Sequence, residues 1–173
     1  FPNKIHIIKQ ISKVHKIDFL ICFGGDGTML KAAHLVGKLN IPITGINTGR
    51  LGFIANIPKQ NITDLINSIY EKKFHISARS LIKVFTKPKL KKNIFQFALN
   101  EVSISEKNHL SMISINTYIN NEFLNTYWGD GLIVSTPTGS TAHSLSCGGP
   151  IVMPDSNNFI ITPISSHNLN VRP

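Results

Sequence analysis

Cysteine is scarce in this sequence, and no long apolar run occurs. Among the 173 residues only Cys22 and Cys147 are present, too few for a disulfide framework and wrongly spaced for a zinc site. No segment approaches the ~18 consecutive apolar residues of a membrane-spanning helix, and no signal peptide is visible. These absences argue against a disulfide-rich secreted domain and against a membrane partner, so we expect a reducing, cytoplasmic setting.

Acidic residues are scarce as well. There are 9 Asp and Glu against 18 Lys and Arg, which gives a net charge of +9 and favours anionic ligands by long-range attraction. A nucleic-acid surface would interleave aromatic with basic residues, and here the aromatics are sparse. A short lysine run around Pro88 is typical of a loop; it contains Lys87, Lys89, Lys91 and Lys92. We therefore expect no nucleic-acid partner.

The order of the apolar patterns predicts two dissimilar halves. The first half alternates helical periods with short apolar runs, and a strand–helix–strand order implies parallel strands. We expect its helices over residues 4–17, 29–39 and 61–72 and its strands over 18–23 and 41–46. From about residue 75 the period becomes two, which predicts strands over 80–86, 94–99, 101–105, 111–119 and 132–136.

These patterns predict an α/β N-terminal domain, with parallel strands and helices, over residues 1–74. A β-rich, sandwich-like domain is predicted over residues 75–173. The chain starts at Phe1 without an initiator Met and ends at Pro173 just after an apolar run. We therefore expect a fragment of a longer protein, with the second domain incomplete at its C-terminus.

An acidic residue flanked by glycines follows the first predicted strand, in Gly24-Gly-Asp-Gly-Thr28. A carboxylate at this strand-to-helix turn is open to a ligand, so Asp26 is a candidate to take a proton from an attacking hydroxyl or to hold a divalent cation. Alternatively Asp26 caps the following helix, with Thr28 as the competing cap. The spacing fits neither the dinucleotide fingerprint G-x-G-x-x-G nor a Walker A loop. On this motif alone, helix capping is favoured.

A stretch of mostly small residues runs from Pro137 to Pro150 and consists almost entirely of Pro, Thr, Gly, Ser, Ala, His and Cys. We expect that it cannot fill a core. Its composition suits a loop whose backbone N–H groups and hydroxyls face a phosphate-bearing ligand, or else a polar surface loop. Asp130, between two glycines, repeats the arrangement at Asp26 and favours ligand chemistry.

Two adjacent polar residues, Asn100 and Glu101, interrupt an alternating strand pattern. Neighbouring side chains of a strand point to opposite faces, so at least one of the two is exposed or hydrogen-bonded. The pair suits ribose hydroxyls or the edge of a base. The alternative is a strand end or a bulge.

Together these motifs resemble bacterial NAD kinases, in order and over nearly the whole chain. The resemblance is carried by Gly24–Thr28, Asn47–Phe53, Asn100–Glu101, Gly129–Ala142, Gly148–Pro150 and Ile161–Ile164 with His167 and Arg172–Pro173. Diacylglycerol and sphingosine kinases share the first of these motifs. The segment from Asp130 to Pro150 is specific to NAD kinases.

The resemblance implies transfer of the γ-phosphoryl group of ATP to the 2′-hydroxyl of the adenosine ribose of NAD, giving NADP. It implies Mg²⁺ or another divalent cation, no metal site made by the protein alone, and a homodimer or homotetramer in which a neighbouring subunit completes the pocket. Asp26 would be the general base. Contacts to the dinucleotide would come from Asp26, Gly27, Lys31, Asn100, Glu101, Asp130, Thr141, Ala142, His143, Ser144, Leu145 and Ser146.

The chain departs from the family pattern at three positions. His143 stands where the family usually has Tyr, Trp128 where several relatives have Arg, and Ser166 where Pro is usual. Two other functions stay open. One is a lipid or sugar kinase that shares the Gly-Gly-Asp-Gly-Thr motif, and the other is a non-catalytic dinucleotide-binding or sensor domain in which Asp26 only caps a helix.

Overall fold

The computed structural model describes residues 17–50, 52–88, 96–106 and 111–168. The chain forms two compact units that divide between Ile76 and Ser77. The helix predicted over residues 4–17 lies outside the described residues except for Ile17. Lys89, Lys91, Lys92 and the Arg172–Pro173 motif also lie outside them.

The first unit is built on a three-stranded parallel sheet. Its strands, in spatial order, are β1 (Leu20–Phe23), β2 (Ile43–Asn47) and β3 (Ile57–Pro58). Helix α1 (Asp26–Val36) connects β1 to β2, and helix α2 (Ile62–Tyr70) follows β3 after a 3-10 turn, Lys59–Asn61. The predicted parallel strand–helix–strand unit is confirmed. Strand β3 was not predicted, because a strand of two residues shows no periodicity.

One face of α1 packs on this sheet. Met29 and Ala32, three residues apart on the helix, form a buried cluster with Cys22 and Ala55. Gly45 of β2 allows this close packing, since a Cβ atom there would lie 2.6 Å from the Met29 Sδ. The cluster fixes the start of α1 against the ends of β1 and β2, where the Gly-Gly-Asp-Gly-Thr turn lies.

The second unit contains antiparallel strands. In chain order they are β4 (Ile82–Lys83), β5 (Phe97–Ala98), β6 (Glu101–Ser105), β7 (Ile113–Ile119), β8 (Glu122–Gly129), β9 (Gly131–Ser135) and β10 (Ile160–Ile164). A three-stranded sheet has the order β10–β9–β6, and two further pairs join β4 to β5 and β7 to β8. Leu132 and Ile133 of the central strand β9 point to opposite faces of this sheet and are both almost fully buried, so both faces of the sheet are covered here.

The β-rich character of this half is confirmed, with three differences from the sequence analysis. Strands β8 and β10 were not predicted. Asn120 and Asn121, between β7 and β8, both have positive φ, which suits a hairpin turn. The strand predicted over 80–86 is only two residues long. The small-residue stretch after β9 is not an irregular loop, because it holds a 3-10 helix (Thr138–Thr141) and a short helix, α3 (His143–Ser146).

Candidate functional site

Asp26 is the first residue of α1, yet its carboxylate does not cap that helix. Gly25 occupies the N-cap position, and no side-chain cap hydrogen bond is made there. Instead Oδ2 accepts the Phe53 N–H at 2.9 Å, and Oδ1 accepts the N–H groups of Ile54 at 3.0 Å and Ala55 at 2.9 Å. The helix-capping interpretation is therefore wrong. The carboxylate holds the segment that leads into β3.

These three hydrogen bonds leave the Asp26 carboxylate one acceptor site. An ionised carboxylate offers roughly four lone-pair sites, about two on each oxygen. Oδ1 uses two of them and Oδ2 uses one. Asp26 is only partly buried, so the remaining site on Oδ2 is available to a hydroxyl or amino group of a ligand.

The same hydrogen bonds set the charge of Asp26. Burial raises the pKa of this carboxyl, but the N–H donors of Ala55, Ile54 and Phe53 together outweigh burial and hold the pKa below its ordinary value. Asp26 is therefore an anion at neutral pH. As a weak base it accepts hydrogen bonds more readily than it accepts a proton.

Gly27 and Lys31 follow Asp26 on α1, and Gly52 lies against its carboxylate. Gly27 and Lys31 lie at exposed positions of α1, so Lys31 presents a positive charge to solvent. Gly52 approaches the Asp26 carboxylate so closely that a Cβ atom there would collide with Oδ1. A glycine at position 52 therefore lets the carboxylate reach the three N–H groups.

In the second unit the structure brings Asn100 and Glu101 together with the stretch after β9. Glu101 begins β6 opposite Ser135, and the Asn100 carbonyl accepts the Thr136 N–H at 2.8 Å. Gly139 lies directly on the Asn100 backbone, and a Cβ atom at position 139 would overlap the Asn100 carbonyl oxygen. The 3-10 helix is thereby held against the start of β6.

Three buried polar atoms in this region have no hydrogen-bond partner within the described residues: Asn100 Oδ1, Glu101 Oε2 and Thr138 Oγ1. Leaving a buried polar group unpaired costs about 1–3 kcal/mol, so such groups are uncommon without a reason. Two acceptors and one hydroxyl suit the hydroxyl and amino groups of a nucleoside. Thr138 was not predicted as a site residue, because composition cannot separate its hydroxyl from those of its neighbours.

Glu101 is also next to His143. Burial raises the pKa of the Glu101 carboxyl, while the charge of His143 and a hydrogen bond from its backbone N–H act in the opposite direction without outweighing burial. The His143 side chain is exposed. The exposed His143 side chain is thus close to the partly buried carboxyl of Glu101.

Most hydroxyl groups around the 3-10 helix are used inside the fold. Thr136, Ser140 and Ser144 are fully buried. Thr136 Oγ1 accepts the Gly139 N–H at 3.1 Å, and Ser144 Oγ lies 2.8 Å from Thr162 Oγ1. The expectation that this stretch cannot fill a core is wrong, because small side chains pack densely once their hydroxyls have partners. Of the residues Thr141–Ser146, Ser144 is buried, whereas the other five are at least partly exposed.

Asp130 lies elsewhere in this unit, in the exposed turn between β8 and β9. The length of β9 separates it from Thr136, about 20 Å for six extended residues. The structure therefore does not bring Asp130 next to Asn100 and Glu101. Trp128 and His167 lie at the Asp130 end of β9, with ring centroids 5.6 Å apart.

Neither a metal centre nor a membrane span is found in the described part of the chain. No three or more His, Cys, Asp or Glu side chains there gather closely enough to hold a metal ion. None of the described helices has both the length and the apolar character needed to cross a bilayer.

Comparison with known proteins identifies the family. Residues 6–74 match the ATP-NAD kinase N-terminal domain, and residues 99–173 match the ATP-NAD kinase C-terminal domain. The chain is 50% identical to the NAD kinase of Christiangramia forsetii, over 100% of this chain and 63% of that protein. It is 52% identical to the NAD kinase of Cytophaga hutchinsonii, over 91% of this chain and 54% of that protein. The chain belongs to the NAD kinase family and spans roughly half to two thirds of these relatives.

Solved structures agree with this assignment. Yeast NADH kinase complexed with NADH has a TM-score of 0.80 and 29% identity, covering 92% of this chain and 48% of that chain. The NAD kinase from Archaeoglobus fulgidus in complex with ATP has a TM-score of 0.78 and 28% identity, covering 97% of this chain and 65% of that chain. The predicted fold class is confirmed. Family membership removes the reason for the lipid or sugar kinase alternative.

Proposed function

We propose that the protein containing this chain is an NAD kinase, which transfers the γ-phosphoryl group of ATP to the 2′-hydroxyl of the adenosine ribose of NAD. Relatives named NAD kinase, at 50% and 52% identity, support this activity. One observation in the structure carries the proposal. The Asp26 carboxylate, held by three backbone N–H groups, keeps one acceptor site on Oδ2.

In this reaction Oδ2 of Asp26 accepts a hydrogen bond from the 2′-hydroxyl and aligns it with the γ-phosphorus. As the ribose oxygen forms its bond to phosphorus, the bond to the bridging oxygen of ADP breaks and the hydroxyl proton passes to Asp26. Phosphoryl transfer depends mainly on positioning and charge neutralisation. An aspartate with a lowered pKa is therefore sufficient, because the proton moves late, when the attacking oxygen has become acidic.

We assign dinucleotide contacts to the other predicted residues. The unpartnered Asn100 Oδ1 and Glu101 Oε2 suit hydroxyl or amino groups of NAD. Lys31 supplies a positive charge for a phosphate, and Gly27 gives a ligand close access to the α1 backbone. The exposed or partly exposed residues of Thr141–Ser146 line the adenine and ribose pockets in this proposal, whereas the Ser144 hydroxyl is engaged by Thr162.

A divalent cation such as Mg²⁺ is expected to accompany ATP. Mg²⁺ in kinases is held by one or two carboxylates together with substrate phosphates and water, and it neutralises phosphate charge. The single acceptor site left on Asp26 is assigned to the 2′-hydroxyl here. Substrate phosphate oxygens and water would therefore supply most of the ligands of the cation.

We propose a homodimer or homotetramer in which Asp130 reaches a dinucleotide bound by a neighbouring subunit. Its position supports this, since the length of β9 separates it from the Asn100–Glu101 pair of its own chain. We also propose a cytoplasmic setting. Cys22 and Cys147 are both free thiols, as is usual in a reducing compartment.

A second candidate function is a non-catalytic dinucleotide-binding domain. The three hydrogen bonds of Asp26 favour it to some degree, because tying down the segment before β3 is a sufficient structural reason for a carboxylate at this position. In that function NAD binds, and no phosphoryl group is transferred.

The deciding experiment measures NADP formation by the full-length protein from NAD, ATP and Mg²⁺, through an NADP-specific dehydrogenase, and NAD binding separately by calorimetry. Asp26→Asn should abolish most turnover while NAD binding persists. The matched control is Asp64→Asn, which changes another carboxylate in the first turn of a helix, here an exposed one in α2. Full turnover in Asp26→Asn would remove Asp26 from its role, and NAD binding without turnover in wild type would favour the second candidate.

A further inference from the structure

Asn47, the last residue of β2, is buried with 5% of its surface exposed. Its side-chain amide makes three hydrogen bonds. Oδ1 accepts the Gly49 N–H at 2.9 Å, while Nδ2 donates to the Arg50 carbonyl at 2.8 Å and to the Ala55 carbonyl at 2.9 Å. One side chain therefore joins both ends of the segment between β2 and β3.

Ala55 connects this amide to the carboxylate described above. Its carbonyl accepts from Asn47, and its N–H donates to Asp26 Oδ1. Ala55 is 1% exposed and belongs to the core cluster under α1. A displacement of Ala55 would therefore move one of the two N–H donors on Oδ1, and the adjacent donor, Ile54, would follow.

We propose that Asn47 is a positioning residue for Asp26: it fixes the segment whose N–H groups orient the carboxylate and leave one acceptor site on Oδ2. The proposal rests on the proposed NAD kinase function for its effect on turnover. Asn47 does not touch the carboxylate itself. It acts through the backbone of Gly49, Arg50 and Ala55, so its loss should affect alignment of the hydroxyl more than affinity for NAD.

The main variants are Asn47→Ala, which removes all three hydrogen bonds, and Asn47→Asp, which keeps the acceptor for Gly49 and sets an oxygen against the Arg50 and Ala55 carbonyls. Gly52→Ala disturbs the carboxylate directly, because its Cβ would meet Oδ1. The hydrogen bonds of Asn47 do not involve residue 52, so this variant leaves their partners in place. Asn67→Ala is the control, since Asn67 is an exposed residue of α2. All variants are made in the full-length protein.

Hydrogen exchange of the amides of residues 53–55 gives a readout that is independent of activity. It should accelerate in both Asn47 variants and stay unchanged in Asn67→Ala. Turnover is divided by the number of NAD-binding sites that calorimetry counts, so that unfolded protein does not lower the measured kcat. We expect kcat to fall about 10- to 100-fold in the Asn47 variants and in Gly52→Ala, with KM for NAD within about twofold of wild type. Asn47→Ala should cause no further loss of residual turnover in an Asp26→Asn background.

Three results would overturn the proposal. Unchanged exchange at residues 53–55 would mean that Asn47 does not hold the segment. Faster exchange with unchanged kcat, or additive losses in the double variant, would mean that this segment does not act through Asp26. If the full-length wild-type protein makes no NADP, the proposed function fails, and the exchange measurement alone decides whether Asn47 orients the segment.

Discussion

At the scale of single residues, Asp26 shows what a sequence can and cannot reveal. The flanking glycines indicate an accessible carboxylate at a strand-to-helix turn. They do not indicate its partners, which lie 27 to 29 positions further along the chain. Local pattern therefore favoured a helix cap, because a cap needs only neighbouring residues, whereas the observed donors are distant in sequence.

The hydrogen bonds of Asp26 lead to a prediction about acid. Since its folded pKa is lowered, the stability that it contributes is present above the unfolded pKa and is lost as pH falls through the folded pKa. An NMR titration of the Asp26 carboxyl should give a midpoint below the ordinary aspartate value, while amide exchange at Ala55 accelerates below that midpoint. The exposed Asp64 carboxyl serves as the comparison in the same spectrum. A midpoint at or above the ordinary value would contradict the hydrogen-bonded arrangement.

Glu101 leads to the opposite prediction. Burial raises its pKa, so the folded state binds the proton more tightly, and stability declines as pH rises through the folded pKa. Glu101→Gln should therefore be more stable than wild type at pH 8, by at most about 1 kcal/mol given partial exposure, with a smaller gain near pH 4. Thermal unfolding at the two pH values measures this.

The same substitution should weaken NAD binding about tenfold, because a charged acceptor is lost from the proposed pocket. Glu122→Gln, in the exposed start of β8, is the control and should change neither property. Tighter NAD binding in Glu101→Gln would argue that Glu101 does not contact the dinucleotide.

At the scale of elements, the stretch after β9 depends on two close contacts. The first is Gly139 on the Asn100 backbone. Gly139→Ala should destabilise the protein by about 1–3 kcal/mol, because a backbone carbonyl cannot move aside cheaply. Denaturant unfolding measures the change. Gly49→Ala is the comparison, since a Cβ atom there meets no other atom within 4 Å, and equal stability of the two variants would contradict the contact.

The second contact is the buried hydroxyl pair of Ser144 and Thr162. Ser144→Ala or Thr162→Val alone should cost about 1–3 kcal/mol, because each leaves one buried hydroxyl unpaired. The double variant should be less destabilised than the sum of the two, since no orphaned group remains. A double-mutant cycle by denaturant unfolding gives the coupling energy. Strict additivity would show that the two hydroxyls do not depend on each other.

The elements also differ in how far sequence reveals them. Strand β6 was predicted with its observed bounds because its alternation is regular. Helix α2 was predicted over 61–72, slightly longer than observed, because its apolar residues recur at helical spacing. Strand β3 and the returning strand β8 were not predicted. The former is two residues long, and the latter mixes Phe, Leu, Tyr and Trp with polar residues on both faces. Burial of the hydroxyls of Thr136, Ser140 and Ser144 could not be predicted either, since it depends on distant backbone partners.

At the scale of the whole molecule, the position of Asp130 leads to a mixing experiment with full-length protein. Asp130→Asn and Asp26→Asn should each lose most turnover alone. After subunit exchange at equal amounts, a dimer that shares sites should recover about a quarter of wild-type activity, because half the dimers are mixed and each has one intact site. Each variant exchanged with itself is the control. Absence of recovery, with exchange verified by mass spectrometry, would show that Asp130 does not serve a neighbouring subunit.

The three N–H donors to Asp26 determine which substitutions, insertions and deletions the site tolerates. All three donors belong to the main chain, so the carboxylate does not depend on the side chain at position 53. Phe53 itself is 69% exposed. Replacing the Phe53 side chain by any residue except proline keeps this N–H donor, whereas inserting or deleting one residue between Asn47 and Phe53 would change the length of chain that positions all three donors. The segment can therefore vary in side chain at position 53, whereas position 52 is restricted to glycine by the close approach of the carboxylate, and the length is fixed.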